Sequence, residues 1–198
     1  MTAPFTYPSS PSRRRHGPQG YASHSSFLPW LRDEFAFRCV YCLIREAWYP
    51  ASFHIDHFLP TVDNPELELV YTNLVYACAS CNARKQALLL PDPTKAMLEP
   101  NIRVLSDGAL EPLTSEARLL VRRLGLNNRR YCDFRKLWIG IVTLAQQAEP
   151  ELFRRLMAYP DDLPDLATLR PPGGNTRPEG ITESHFERRK RGDLPDIY

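Results

Sequence analysis

The sequence predicts an α+β fold in which a small cysteine-rich core is followed by a β-hairpin and then by helices. Two Cys-x-x-Cys pairs, separated by short apolar runs, mark the core. An Asp-Gly dipeptide between two apolar runs, at positions 107 and 108, is typical of a hairpin turn. Farther along, apolar residues recur at helical spacing. With 198 residues, the chain can bury one core and carry tails, but hardly two full domains.

The overall charge does not by itself indicate a partner. Apolar residues make up 43% of the chain, charged residues 24%, and the formal net charge is +2. Basic residues cluster at positions 13–15 and 188–191, but such tails are more often solvated than bound to phosphate. No apolar run is long enough to cross a membrane, and the first arginines are not followed by the apolar segment of a secretion signal. We therefore expect a cytoplasmic protein that keeps its thiols reduced, with no membrane partner.

Composition divides the chain into three parts. Residues 1–26 are rich in Pro, Ser, Gly and Arg and are predicted to form a flexible basic arm. Residues 27–160 form the predicted globular domain, with a motif core at 37–90 and a hairpin and helical extension at 100–160. Residues 161–198 are predicted to be a Pro/Gly-rich linker followed by a basic tail.

Three helices are expected in the extension. The first covers residues 114–124, because Thr114 or Ser115 can cap its start and a glycine follows its end. The second covers residues 128–147, and Pro150 suits the first turn of a third. The second helix carries a stripe with the period of a face packed on the core. Its members are Tyr131, Phe134, Trp138, Ile141 and Leu144 or Ala145.

Four of the five cysteines form two pairs, Cys39 with Cys42 and Cys78 with Cys81. Each Cys-x-x-Cys turn presents two sulfurs to one ion, and two such turns complete a tetrahedral Zn²⁺ site. The 35 residues between the pairs (78 − 42 − 1) require a folded segment between them. Unpaired buried cysteines or redox motifs are the alternatives, although two redox motifs in one small chain would be unusual. Cys132 falls on the second predicted helix and is expected to be a small core residue.

The segment between the pairs contains His54, Asp56 and His57 within an apolar run. A zinc ion held by four thiolates has no open position, so it would be structural and would leave the histidines free. A Cys₂His₂ site using both histidines stays open, but it would leave one cysteine pair without a purpose.

The order of these elements resembles the HNH endonuclease family, in its zinc-knuckle branch with a ββα-metal core. A D-H-x-x-P segment contains Asp56 and His57, Asn73 follows His57 by 16 residues (73 − 57), and Asn82 follows Asn73 by nine (82 − 73). The resemblance covers about residues 37–86. The last letter of the family's name stands for histidine, and Asn82 occupies that place here, a substitution that also occurs in the family.

The resemblance implies roles for four residues. Asp56 and Asn82 would bind a divalent Mg²⁺ or Mn²⁺ ion, since both offer the hard oxygen atoms these ions prefer. His57 would be the general base that takes a proton from the attacking water. Asn73 would help to orient this histidine and its loop. Taken singly, Asp56 could cap a turn, and each asparagine could be a turn or cap residue; their joint offsets favour the catalytic interpretation.

Three further residues are candidates for binding DNA. Arg84 and Lys85 fall on the first turns of the helix after the second cysteine pair, where they could hold flanking phosphates. His54 has no fixed role in the family pattern, and we assign it a supporting contact.

The sequence thus predicts a metal-dependent endonuclease that hydrolyses phosphodiester bonds in DNA, expected to be double-stranded. The alternative is a non-catalytic, zinc-stabilised nucleic-acid-binding module, and an RNA substrate is not excluded. One site of this kind cuts one strand at a time, so double-strand cleavage would need a homodimer or two encounters. The helices after Thr114 could dimerise, contact DNA or cover the core, and their periodicity supports only the last.

Overall fold

The computed structural model, which describes residues 3–49, 52–172 and 178–198, is built around a two-stranded antiparallel sheet. Strand β1 (Phe53–His57) pairs with strand β2 (Leu74–Cys78). All five residues of β2 are buried, whereas β1 alternates between buried and more exposed positions. The sheet therefore has one strand in the core and one at its edge.

A helix packs directly onto this sheet. Helix α2 (Ala79–Lys85) begins where β2 ends, so the second cysteine pair spans the junction of strand and helix. The sheet register places Asp56 opposite Val75 and His57 opposite Leu74. This β-β-α unit, with four clustered cysteines beside it, confirms the α+β fold class expected from the sequence.

The remaining helices and strands surround the core in chain order. They are α1 (Leu28–Glu34), α3 (Pro93–Ala96), β3 (Ile102–Val104), β4 (Leu110–Pro112), α4 (Ser115–Arg123), α5 (Arg129–Ala148), α6 (Pro150–Met157), α7 (Pro178–Thr182) and α8 (His185–Arg191).

The caps expected for the helical extension are present. Thr114 Oγ1 accepts a hydrogen bond from the backbone of Ala117, and Asn128 Oδ1 accepts one from Tyr131. Each cap satisfies an amide that the first turn of its helix would otherwise leave unpaired. Helices α4 and α5 thus begin within a residue of the expected positions.

The apolar stripe on α5 follows a different path from the one expected. Trp138 stacks on Trp48 with ring centroids 4.3 Å apart, so the first half of the stripe packs on the core. In the second half, Val142 and Ala145 are buried, while Leu144 is 65% exposed and Ile141 is at the surface. Burial therefore advances along the helix in steps of three and four, and it leaves these two side chains in solvent.

The predicted hairpin forms between β3 and β4, and Gly108 occupies its turn. Gly108 has a φ of +84° and lies against α5, where an added Cβ would come 2.2 Å from the carbonyl oxygen of Cys132. The buried guanidinium of Arg135 donates hydrogen bonds to the carbonyl oxygens of Gly108 and Leu126. The turn thus fits closely against α5, and only glycine leaves room for it.

Replacing Gly108 by alanine is expected to destabilise the protein strongly. The added methyl group would meet α5 backbone, and the positive φ disfavours a side chain, so we expect a loss of about 2 kcal/mol or more in the free energy of unfolding. Urea unfolding followed by circular dichroism measures it. Gly140→Ala is the matched control, since a Cβ there meets nothing within 4 Å; it should stabilise α5 by up to about 1 kcal/mol. Equal stability of the two variants would contradict the packing described here.

The two ends of the chain meet on the buried carboxylate of Asp33, in α1. His16 Nε2 donates to Oδ1 at 2.9 Å, and His185 Nδ1 donates to Oδ2 at 2.7 Å. Burial raises the pKa of Asp33, but the hydrogen bonds from His16 and His185 outweigh it and hold the pKa well below its usual range. An ionised carboxylate therefore joins α1 to the N-terminal segment and to α8.

These contacts differ from the flexible arm and basic tail expected from composition. Residues 3–23 form no helix or strand, yet Phe5 and Tyr7 are buried in the core, because aromatic side chains among the prolines and serines find partners there. The described part of the C-terminal segment contains α7 and α8, whereas residues 173–177 of the predicted linker lie outside the described residues. Across the described residues, no helix has the length and apolar character needed to cross a membrane.

Candidate active site

The four paired cysteines converge on one point. Their sulfur atoms all lie within 4.8 Å of one another, all four residues are buried, and the Sγ atoms of Cys42 and Cys78 are 3.8 Å apart. Tetrahedral zinc with Zn–S bonds of about 2.3 Å requires sulfurs about 3.8 Å apart, so the cluster fits a closed Zn²⁺ site. Within the described ranges it is the one group of three or more His, Cys, Asp or Glu residues close enough to share an ion.

The electrostatics of the cluster also favour a bound cation. Hydrogen bonding with the neighbouring thiols, Cys39 first, raises the pKa of Cys42 well above its usual value. Several thiolates at this spacing require a positive ion among them, and zinc is the ion that soft sulfur ligands select. A Cys₂His₂ arrangement is not what the structure brings together, since both histidines of β1 lie outside the cluster.

Asp56 lies in β1 with its side chain only 5% exposed. The hydroxyl of Tyr41 donates to Oδ2 at 2.6 Å, and Lys85 Nζ lies 3.8 Å from Oδ1. Burial raises the pKa of Asp56, an effect reduced but not reversed by the charge of Lys85 and the hydrogen bond from Tyr41. A carboxylate desolvated in this way is stabilised by an added positive charge, which a divalent ion would supply.

His57, at the end of β1, has a defined ring orientation. Its Nε2 atom lies 2.9 Å from the backbone carbonyl oxygen of Glu68. A carbonyl can only accept, so Nε2 carries the proton and the neutral ring keeps its lone pair on Nδ1. The ring of His24 packs edge-on against it, with centroids 5.4 Å apart. The ring is thereby held in the tautomer that can accept a proton at Nδ1.

Asn73 fixes the loop that follows His57. Its Oδ1 accepts from the amide of Leu59 at 3.0 Å, and its Nδ2 donates to the carbonyl oxygens of Leu59 and Leu67. The backbone amide of Phe58 also donates to the Asn73 carbonyl oxygen, at 3.1 Å. The side chain is buried, so these bonds form in a low-dielectric setting and hold the loop firmly.

The three candidates on α2 have different surroundings. Asn82 is half-buried, and its side-chain amide makes no hydrogen bond to the described residues, so its oxygen is available as a ligand. Arg84 is exposed, with its guanidinium over the ring of Tyr131 at 5.6 Å. The expectation that Lys85 contacts DNA conflicts with its burial, since its Nζ donates to the carbonyl oxygen of His57 at 2.9 Å. Lys85 therefore ties α2 to the end of β1, because its long side chain reaches across the helix–strand junction.

His54 stands apart from this arrangement. Its side chain is exposed, and its ring nitrogen Nε2 forms a hydrogen bond with Ser52 Oγ at 2.9 Å. In β1, residues two apart share a face, but only Asp56 of that pair is drawn into the core by Tyr41 and Lys85.

Sequence reasoning missed the residues that hold the site from outside the motif. The hydroxyl of Tyr41 and the carbonyl oxygen of Glu68 are hydrogen-bond partners of Asp56 and His57, and His24 packs on the latter. Tyr41 could have been suspected from its place between the first two cysteines. No sequence signal marks the Glu68 carbonyl, because a backbone atom has no residue type.

Comparison with known families identifies this region. Residues 39–88 match the family model described as HNH endonuclease, which confirms the resemblance seen in the order of motifs. The match spans 50 residues (88 − 39 + 1), about a quarter of the chain. A search of curated proteins finds no matching sequence.

Proposed function

From the HNH domain at residues 39–88, we propose that this protein is a metal-dependent endonuclease that hydrolyses DNA, with His57 as the general base. The observation that carries the proposal is the hydrogen bond from His57 Nε2 to the Glu68 carbonyl, which leaves Nδ1 free to accept a proton. HNH nucleases use divalent metals and act on DNA, so the family match supports the metal and the substrate class.

The residues around His57 act on it in distinct ways. Asn73 positions the loop from residue 58 onward, which fixes the backbone next to the histidine. Lys85 binds the His57 carbonyl oxygen from α2. With its ring held from two sides, His57 can take a proton from a water molecule without first reorganising.

Asp56 and Asn82 are the proposed ligands of the catalytic Mg²⁺ or Mn²⁺ ion. One carboxylate and one amide oxygen suit these ions, which keep several waters and bind substrate phosphates as further ligands. The burial of Asp56 and the unpaired amide of Asn82 fit such a site. A bound divalent ion would neutralise charge on the scissile phosphate and stabilise the leaving oxygen.

A basic surface near α2 is the proposed contact for the DNA backbone. A Cβ added at Gly125 would come 3.0 Å from Arg84 Nη1, so Arg84 lies against this residue. Gly125 also lines a shallow depression with the exposed side chains of Arg118 and Arg122. Three arginines from α2 and α4 therefore share one face, as phosphate binding requires.

Removing one of these arginines should weaken DNA binding and its salt dependence. For Arg122→Ala we expect the slope of log affinity against log salt to fall by about one, since one phosphate contact is lost. Fluorescence anisotropy with a labelled duplex oligonucleotide, measured at several salt concentrations without divalent ions, gives the slope. Arg155→Ala, an exposed arginine on α6, is the control. Equal slopes for both variants would place the DNA elsewhere.

The function itself is tested on supercoiled plasmid. We expect zinc-loaded protein with Mg²⁺ or Mn²⁺ to convert the plasmid to nicked circles, and EDTA to stop the reaction, because the divalent ion is a ligand of the scissile phosphate. Linear product at low conversion would indicate two copies acting together on double-stranded DNA. A single-stranded RNA of the same length tests the other nucleic acid. The absence of cleavage with every divalent ion would favour a binding module without catalysis. Since the free thiols of the cluster need reducing conditions, we propose that the protein acts in the cytoplasm.

A further inference from the structure

A cavity of about 390 Å³ lies between the N-terminal segment, the end of α1 and the first cysteine pair. Residues 6–15 of the N-terminal segment form one wall, and Phe35 and Ala36 form another. Among the described residues, none of the four proposed catalytic side chains lines it. The cavity is therefore a site separate from the one proposed for DNA cleavage.

The lining of this cavity is positively charged. Arg13, Arg15 and Arg38 face it with one acid, Glu34, which gives a net charge of +2 (3 − 1) with His185 neutral. The Glu34 carboxylate accepts hydrogen bonds from Ser12 Oγ and from the amide of Arg15, which keep it directed toward the N-terminal segment. An anionic ligand would meet an attractive potential here.

Two of these arginines have a buried donor without a partner. The Nε atoms of Arg15 and Arg38 are both buried, and neither makes a hydrogen bond to the described residues. Arg15 also forms an ion pair with Asp33 at 3.1 Å, whereas Arg38 has no acid partner in the described part of the chain and lies over the ring of Tyr198. Leaving a guanidinium donor desolvated and unpaired is costly, and an oxyanion would satisfy it through a planar, two-pronged contact.

The rest of the lining suits an organic body attached to that anion. Phe35, Val40, Leu43 and Met97 offer apolar contacts, while the hydroxyl of Thr94 offers a polar one. The volume falls within the range of about 300–1,000 Å³ found for small-molecule sites. We propose that this cavity binds a small organic anion of about nucleotide size, whose phosphate or carboxylate group contacts Arg15 and Arg38.

Binding can be measured directly on the full, zinc-loaded chain without any cleavage assay. Isothermal titration with adenosine monophosphate, adenosine, inorganic phosphate and benzoate separates the two anion chemistries and the apolar body. We expect saturable binding of adenosine monophosphate or benzoate, and binding at least tenfold weaker for adenosine and for inorganic phosphate. Saturable binding of neither organic anion, or equal binding of adenosine and its monophosphate, overturns the proposal.

Variants and methyl spectra locate the bound anion. Arg38→Ala should weaken binding by about 10- to 100-fold, as expected for a lost charge-assisted contact, while Arg155→Ala should bind as the parent does. Equal binding by Arg38→Ala and the parent contradicts the assignment. Should Arg38→Ala fail to fold, methyl signals of the parent decide: Leu43 and Met97 should shift on titration, and Leu144, exposed on α5, should not. Shifts at Leu144 alone would place the ligand outside the cavity. Because plasmid nicking should persist in Arg38→Ala, this inference and the proposed nuclease activity can fail independently.

Discussion

His57→Ala is expected to lower the rate of plasmid nicking by about 10²- to 10⁴-fold, the usual contribution of a general base. The loss follows from removing Nδ1, the atom left free to accept a proton when Nε2 donates to the Glu68 carbonyl. Affinity for duplex DNA should stay close to that of the parent, because the phosphate contacts proposed for Arg84, Arg118 and Arg122 are unchanged. Initial rates of nicking in Mg²⁺, with anisotropy in its absence, separate the two quantities.

His54→Ala is the matched comparison for this experiment. It removes a histidine from the same strand, but one whose side chain is exposed and bonded only to Ser52 among the described residues. We expect its rate to fall by less than about tenfold, as for the loss of one surface contact. Zinc content and melting temperature must match the parent in both variants. Equal rates for His57→Ala and the parent would refute the assignment of the base.

Cys81→Ser is expected to have the largest effect on stability. Structural zinc contributes about 10–16 kcal/mol in zinc-finger peptides, as much as the whole free energy of unfolding of a typical domain. All four cysteines belong to the hydrophobic core, and Tyr131 Oη lies 3.4 Å from Cys81 Sγ, so loss of the ion would loosen α5 as well. We expect less than one zinc ion per chain and a melting temperature lower by about 10 °C or more.

Cys132→Ser provides the control, since Cys132 lies on α5 outside the cluster and is only half-buried. Its zinc content should equal that of the parent, and its melting temperature should change by a few degrees at most. Elemental analysis and scanning calorimetry supply both quantities. A full complement of zinc in Cys81→Ser would show that the four thiolates are not the ligands.

The motif residues could be found from the sequence because their chemistry depends on residue type and spacing. Four cysteines in two Cys-x-x-Cys turns predict one metal site wherever the chain places them, and the structure brings their sulfurs together. Helices α4 and α5 were predictable for a similar reason, because caps such as Thr114 and Asn128 act within a few residues.

Other features depended on distant parts of the chain. Lys85 has the composition of a phosphate-binding residue, yet it is buried because β1 offers it the His57 carbonyl oxygen. The prolines and arginines near the N-terminus predict a flexible arm, but His16 reaches Asp33 and Phe5 packs against Trp48. Composition describes what a segment can do alone, and it does not show which partners the folded core presents to it.

The sequence by itself thus determined the α+β class, the four-cysteine cluster and the HNH motif, all of which rest on local spacing. Only the tertiary structure decided that the Glu68 carbonyl fixes the tautomer of His57, that Lys85 is internal, and that both ends of the chain meet on Asp33. These contacts join residues far apart in sequence or use backbone atoms, so no residue pattern encodes them. They exist because folding removes polar groups from water and each must then find a partner nearby.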